Sequence, residues 1–199
     1  MNVLFVASEC APFIKTGGLA DVIVAGAATG PETIDDCIAQ GKDYHDGGAR
    51  YNTSYIQGVG VGTVTDALTA LNVHVFDRKT ITMASFLEAL EKDFVGFEGF
   101  RRKLLDDTPK YGNDDDRSDQ LAREVSTFWT KRAAEKTAPS TGKRYRGGYL
   151  SWNYWVAYAP KTSATPDGRK RGTYLSNGSC PVTGCDRHGP TANTRSTGK

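Results

Sequence analysis

The chain is 199 residues long and carries 25 Lys and Arg against 23 Asp and Glu, a formal net charge of +2. That balance excludes a strongly basic nucleic-acid binder as the default, and a composition of 38% hydrophobic and 10% aromatic residues excludes a chain disordered throughout. No apolar run approaches the roughly 20 residues that a membrane span needs, and the apolar opening Met1 to Val6 lacks the basic start of a signal peptide.

Asn2 to Ala7 is a continuous apolar run, β-branched in part, and predicts a buried strand. Ser8 to Phe13 is turn-rich. Lys15 to Val22, with Gly17 and Gly18, reads as a glycine-rich loop opening a helix, so the chain starts with one short βα unit. Gly26 to Pro31 breaks that pattern. Ile34 to Ile38 is a short helical piece, and Asp43 to Gly62 has no period.

The stretch between 63 and 136 is mostly helical. Thr63 to Phe76 places Val64, Leu68, Leu71 and Val75 on one face. Thr82 is a candidate cap for a second helix, with Phe86, Leu87, Leu90 and Phe94 inward. A third helix spans about Glu98 to Leu105, and Pro109 to Asn113 is a turn. Asp114, Asp115 and Asp116 suit the positive end of a long helix reaching about Lys136, with Leu121, Val125, Phe128 and Trp129 inward. Pro139 to Gly148 then reads as a loop. Tyr149 to Tyr158 reads as an aromatic strand, Thr165-Pro166-Asp167-Gly168 as a turn, and Thr173 to Val182 as another extended piece. The polar residues after Gly184 are expected to fray.

The four cysteines, at 10, 37, 180 and 185, are too few for a disulfide framework and suit free thiols in the cytoplasm. From Ser140 to Lys199 there are ten basic and two acidic residues, a net of +8 against −6 in the rest. Such a tail can meet phosphate or RNA; neutralisation of acidic helices is the favoured reading.

Several clusters invite a chemical reading. Gly58-Val59-Gly60-Val61-Gly62 before a helix has the backbone for a phosphate cradle, but it is not G-x-G-x-x-G, and a tight turn into the helix is favoured. Cys180, Cys185 and His188 have no fourth ligand nearby, which leaves two loop thiols and a surface histidine as the favoured reading and no metal site. Cys37 follows Asp35 and Asp36, whose charges raise a thiol pKa, so it reads as a helix cysteine rather than a nucleophile. The Asp114 to Asp116 run offers hard oxygen ligands to a cation, yet a helix start already accounts for it. Arg50, beside Gly47 and Gly48, fits a buried network and a binding role equally.

From Pro31 onward the chain resembles the glycyl radical enzymes of the pyruvate formate-lyase-like group. The resemblance rests on Asp35-Asp36-Cys37-Ile38, on Lys42 to Asn52 (KDYHDGGARYN), on Lys110-Tyr111-Gly112-Asn113-Asp114-Asp115, on Ala164 to Lys170 (ATPDGRK) and on Gly189-Pro190-Thr191-Ala192. Their order and spacing match the family over about 165 residues, and Tyr51 to Tyr55 leans towards its dehydratase and lyase branches.

The resemblance implies an α/β fold, here part of a ten-stranded β/α barrel. It implies radical C–H abstraction from a small organic substrate in anaerobic metabolism, through a thiyl made by a backbone glycyl radical. A radical-SAM activating enzyme installs that radical and is the implied partner. Neither the thiyl cysteine motif nor the Arg-Val-Ala/Ser-Gly-Tyr motif occurs in the sequence, so no catalytic residue is assigned, no bound cofactor is expected, and the chain alone is expected to be inactive.

Met1 to Val22 resembles a different family, the N-terminus of bacterial glycogen (starch) synthase, through Ser8-Glu9-Cys10-Ala11-Pro12 and Lys15 to Val22 (KTGGLADV). There the resemblance implies that Lys15, Gly17 and Gly18 meet the phosphates of ADP-glucose, chemistry that suits a cation and bare backbone N–H groups at a helix start. The chain thus reads as a chimera: residues 1–22 synthase-like, a junction at 23–31, and a glycyl-radical-enzyme fragment over 32–199. Its partners would be itself or the remaining barrel segments, without nucleic acid or membrane. A nucleotide-sugar binding remnant and a non-catalytic interaction module are the alternatives.

Overall fold

In the computed structural model of the chain the described residues are 35–43, 46–51, 53–139, 142–150 and 153–199. The predicted strand Asn2 to Ala7, the loop holding Lys15, Gly17 and Gly18, and the junction at 23–31 lie outside them. The chain forms two compact units, Met1–Gln57 with Thr130–Gly148 and Gly58–Trp129 with Tyr149–Lys199. No described helix is long and apolar enough to cross a membrane.

The first unit begins its described part with helix α1 (Asp35–Gln40), whose first turn carries Asp35 and Asp36 at the positive dipole end and whose buried residue is Cys37. The chain then doubles back. Gln40 donates to the Gly48 carbonyl at 3.1 Å, and a Cβ on Gly48 would stand 2.2 Å from the Lys42 carbonyl oxygen, so only glycine lets the two backbones pass.

Strands β1 (Tyr55–Gly58) and β2 (Arg146–Tyr149) pair in a two-stranded sheet, most of which belongs to this unit. The pairing is joined by the Arg146 N–H donating to the Ser54 carbonyl at 2.9 Å. Neither strand was expected where it lies. The reading of Pro139 to Gly148 as loop and of Tyr149 to Tyr158 as strand is corrected here: the strand ends at Tyr149.

In the second unit, Tyr154–Ala157 (α6) is one helical turn that runs into a 3₁₀ turn at Ala159–Lys161. Aromatic content favours a strand, but Tyr154 and Tyr158 are four residues apart and their rings stack at 5.5 Å in the helical turn. Trp152, within the expected strand, lies outside the described residues.

The helices of the second unit follow the predicted order. Helix α2 (Val61–Leu71) continues into a π-helical turn, Asn72–Asp77. Its buried face is Thr65, Asp66, Thr69, Ala70 and then Val73, whereas Val64 of the expected stripe is exposed. Of the polar groups on that face, Thr69 Oγ1 donates to the Thr65 carbonyl at 2.9 Å and Asp66 accepts the Tyr111 N–H from 45 positions away, whereas the Thr65 hydroxyl has no partner among the described residues. Thr82 caps α3 (Met83–Glu91) as expected, its hydroxyl accepting the Ser85 N–H at 3.1 Å.

Phe94 is inward but is not on the helix face that its spacing suggests. Asp93 and Phe94 both take left-handed backbone, with φ 50° and 64°. The N–H of Phe94 reaches back to Ala89 O at 2.7 Å and that of Asp93 to Leu90 O at 3.1 Å, which is a Schellman ending. Phe94 thereby joins Ala70, Phe86, Ala89, Leu104 of α4 (Glu98–Asp106) and Ala164 in the core, and Phe100 meets Phe86 edge-on at 5.1 Å. Leu87, expected inward, is exposed.

Helix α5 (Asp116–Ala134), whose residues from Thr130 on belong to the first unit, starts two residues later than Asp114, which has φ 58°. Asp115 makes the start instead: its carboxylate accepts the Arg117 N–H at 3.0 Å and its carbonyl accepts from Asp119 N. Phe128 of the expected inward set is exposed. Thr173 to Val182 forms turns rather than a strand, closed by bonds such as Cys180 N–H to Asn177 O at 2.8 Å. The polar end does not fray into coil. It forms α7 (Gly189–Gly198), with Pro190 in its first turn and Ser196 buried, accepting the Asp114 N–H at 2.8 Å.

Candidate functional site: a buried polar hub

The hub lies within the second unit and is built from α2, the 110–113 turn and the segment from 163 to 188. At the head of α2, Gly60 has φ 90°. Thr63 and Ser176 exchange bonds: the Thr63 N–H donates to Ser176 Oγ at 3.0 Å and the Ser176 N–H to Thr63 Oγ1 at 2.9 Å. A Cβ on Gly62 would lie 2.6 Å from the Cys180 carbonyl oxygen. The Gly58 to Gly62 stretch therefore turns tightly into the helix and receives the chain's own 176–180 loop where a phosphate would sit.

One turn along, Asp66 is fully buried and its Oδ1 accepts the Tyr111 N–H at 2.8 Å. Burial pushes its carboxyl up to about 7, against the opposing pull of Lys110 and of that N–H. Lys110, itself buried, donates through Nζ to the Asp167 carbonyl at 3.0 Å. The Tyr111 hydroxyl donates to Ser179 O at 3.2 Å, and burial pushes this phenol up to about 12. Asn113 ties the turn to the following loop: Nδ2 donates to Lys110 O and Cys185 O, and Oδ1 accepts the N–H groups of Arg187 and His188.

Arg169 closes the hub at its far side. Its guanidinium donates to Thr165 Oγ1 at 3.0 Å and to the carbonyls of Thr173 (2.6 Å), Lys170 (3.2 Å), Ser163 and Thr162. Arg101 of α4 donates to the Gly168 carbonyl at 2.8 Å. Asp167 accepts from the Thr165 hydroxyl. Two of the five family-like stretches, 110–115 and 164–170, thus touch directly through Lys110 and Asp167, and another, 189–192, opens the helix that docks on Asp114.

The other candidate residues have plainer placements. Cys180 is exposed, Cys185 is half-buried, both are free thiols, and burial pushes the Cys185 thiol up. His188 precedes α7 with Nδ1 3.1 Å from Asn113 O. Among the described residues no group of three or more His, Cys, Asp or Glu is arranged to hold a metal ion. Cys37 is buried, and burial with Asp43 and Asp36 raises its thiol. Arg50 is exposed and pairs with Asp36 at 3.1 Å, so the network is at the surface rather than buried.

Asp114 to Asp116 are taken up by the chain's own cations. Lys199 Nζ meets Asp114, Asp116 and Asp119 at 2.7, 2.8 and 2.9 Å, and Arg117 pairs with Asp115 at 3.2 Å. Lys199, with Arg195 on Asp114 and Arg187 on Asp106, shows the basic tail neutralising acidic helices. Lys15, Gly17 and Gly18 lie outside the described residues.

Sequence reasoning missed Asp66, Ser176 and the inward turn of Arg169. Asp66 was findable: it lies four and seven residues before Ala70 and Val73, on one helix face with both. Ser176 gave no local signal, because its partner is 113 positions away in the chain.

The family model described as Pyruvate formate lyase-like matches residues 32–159. The chain belongs to this family. The trans-4-hydroxy-L-proline dehydratase of Clostridioides difficile is 42% identical over 167 residues, which is 83% of this chain and 21% of that protein. Among solved structures, the B12-independent glycerol dehydratase from Clostridium butyricum aligns with a TM-score of 0.77 at 38% identity, over 90% of this chain and 23% of that one. A glycyl radical enzyme from Archaeoglobus fulgidus aligns with a TM-score of 0.75 at 35% identity, over 89% and 23%.

The fold is accordingly part of the β/α barrel of these enzymes. The chain spans about a fifth of the length of the curated relatives it matches. A second model, described as Starch synthase catalytic domain, matches residues 2–29.

Proposed function

We propose that the chain supplies one segment of a glycyl radical enzyme of dehydratase or lyase type, acting on a small organic substrate by radical C–H abstraction. The observation that supports this most is the 42% identity with trans-4-hydroxy-L-proline dehydratase over 83% of the chain. Two of the five stretches that carry the likeness, 110–115 and 164–170, bond to each other in the hub. Their chemistry is structural: they hold buried carbonyls and turns, and none presents an activated nucleophile. The proposed part played by this segment is therefore to shape and brace the barrel. The substrate, the activating radical-SAM enzyme and a cytoplasmic location belong to the same proposal.

The 199-residue chain on its own forms no glycyl radical in this reading, because it contains neither radical-bearing motif. The test is anaerobic incubation with a radical-SAM activase and S-adenosylmethionine, followed by electron paramagnetic resonance. A glycyl doublet from the chain alone would overturn the reading. The bracing role is tested by co-expressing the chain with a trans-4-hydroxy-L-proline dehydratase lacking the matched 167 residues. Co-purification is expected, and its absence counts against the role.

The match at 2–29 favours one second reading, a chimera in which residues 1–22 are a synthase remnant joined at 23–31, with Lys15, Gly17 and Gly18 facing the ADP-glucose phosphates. One such loop supplies a few hydrogen bonds of about 1 kcal/mol net each, which the ordering cost of association exceeds. Calorimetric titration is expected to show binding weaker than about 10 μM. A tighter constant that is lost on Lys15→Ala would make the remnant a working site.

A further inference from the structure

Asp66 sits mid-helix in α2 and is 0% exposed. Its two carboxyl oxygens are treated unequally: Oδ1 accepts the Tyr111 N–H at 2.8 Å, and Oδ2 is buried with no hydrogen-bond partner among the described residues. The Lys110 ammonium spends its bond on the Asp167 carbonyl at 3.0 Å. The charged and titratable groups facing Asp66 are thus Lys110 and Asp167, with the Cys185 thiol on the loop side.

An anion with one bare oxygen in such a place is costly, and a neutral carboxyl far less so. The shift of the carboxyl to about 7 is in line with that geometry.

The consequences extend beyond one bond. Tyr111 is held on α2 by Asp66, and the same 110–113 turn carries Asn113, which ties down the backbone of Cys185, Arg187 and His188. His188 immediately precedes α7. Loosening Asp66 therefore loosens a chain of contacts from α2 to the start of α7.

We propose that Asp66 is a proton-operated latch: neutral, it holds the 110–113 turn on α2, and on giving its proton to solvent water it lets the turn and the 185–188 loop lift away. In the open form the carboxylate is hydrated and has an ordinary carboxyl affinity for protons, near 4. Opening thus releases a proton across the interval from about pH 4 to about pH 7. Its equilibrium constant rises about tenfold per pH unit there and levels off above.

The test is hydrogen exchange on the 199-residue chain at pH 5, 6, 7 and 8, with rates corrected for intrinsic exchange. Protection of the Tyr111 amide is expected to fall about tenfold per unit from pH 5 to 7 and then hold, while the Phe94 amide, bonded to Ala89 O in the core, falls much less. Asp66→Asn keeps an acceptor for the Tyr111 N–H and is expected to abolish the pH dependence. A flat Tyr111 profile in the unaltered chain overturns the latch. Should Asp66→Asn fail to fold, the carboxyl carbon-13 resonance of Asp66 decides: a midpoint near 7 supports the latch and one near 4 overturns it.

Discussion

Arg169 is 6% exposed, and its guanidinium is spread over four backbone carbonyls and a threonine hydroxyl. Only a planar fork of five donors can serve that many acceptors at once. Lysine keeps the charge but not the fork, and would leave buried carbonyls unpaired. Arg169→Lys is expected to lower stability by about 3 kcal/mol in denaturant titration; a change within experimental error would show that those carbonyls find other donors.

His74 is a second buried polar residue, with Nδ1 3.1 Å from Thr80 Oγ1 and Nε2 2.9 Å from Thr108 Oγ1. Burial, followed by Arg78, lowers its pKa. The folded chain therefore resists a proton that the unfolded chain accepts below about 6.5. His74 contributes its stability above that pH and loses it as pH falls towards the folded value. His74→Gln is expected to flatten this acid limb of the stability curve, measured against an unaltered control from pH 7 to 5.

At the scale of elements, Thr82 and Gly112 show two ways in which a local rule decides a boundary. The Thr82 hydroxyl caps α3 at Ser85, and Thr82→Ala is expected to cost about 1 kcal/mol. Gly112 has φ 95°, and a Cβ there would stand 2.3 Å from Pro181 Cγ. Gly112→Ala combines left-handed strain with overpacking and is expected to cost about 3 kcal/mol; both values can be read from denaturant midpoints. The cap and the acidic helix start were legible in the sequence because they act over three or four residues. The strands Tyr55–Gly58 and Arg146–Tyr149 were not, since each is four residues long and half glycine-rich or polar, and the partner that makes it a strand lies about ninety positions away.

For the whole molecule, the family-like stretches were legible by their residues, whereas the way they bond to one another was not. Lys110 finds Asp167 across 57 positions, and no periodicity reports such a pair. Apolar side chains do stand in solvent, Leu150 and Tyr174 among them, but beyond Tyr149 neither expected strand is seen among the described residues, and Trp155 and Tyr174 meet edge-on at 4.9 Å.

In the second unit the exposed set includes Phe76 in the π-helical turn, Leu87 on α3 and Val95 beyond it; in the first it includes Ile38 and Tyr55. Exposed aromatic and large aliphatic groups gain roughly 25 cal/mol for each Å² they remove from water. Copies of a chain that spans about a fifth of its relatives can use that surface against each other. Sedimentation at rising concentration is expected to show oligomers with dye binding, and Phe76→Glu with Leu87→Glu to reduce both without changing the helical circular dichroism. A single monomer at high concentration, with no dye binding, would show that these side chains are too scattered to form a joining surface.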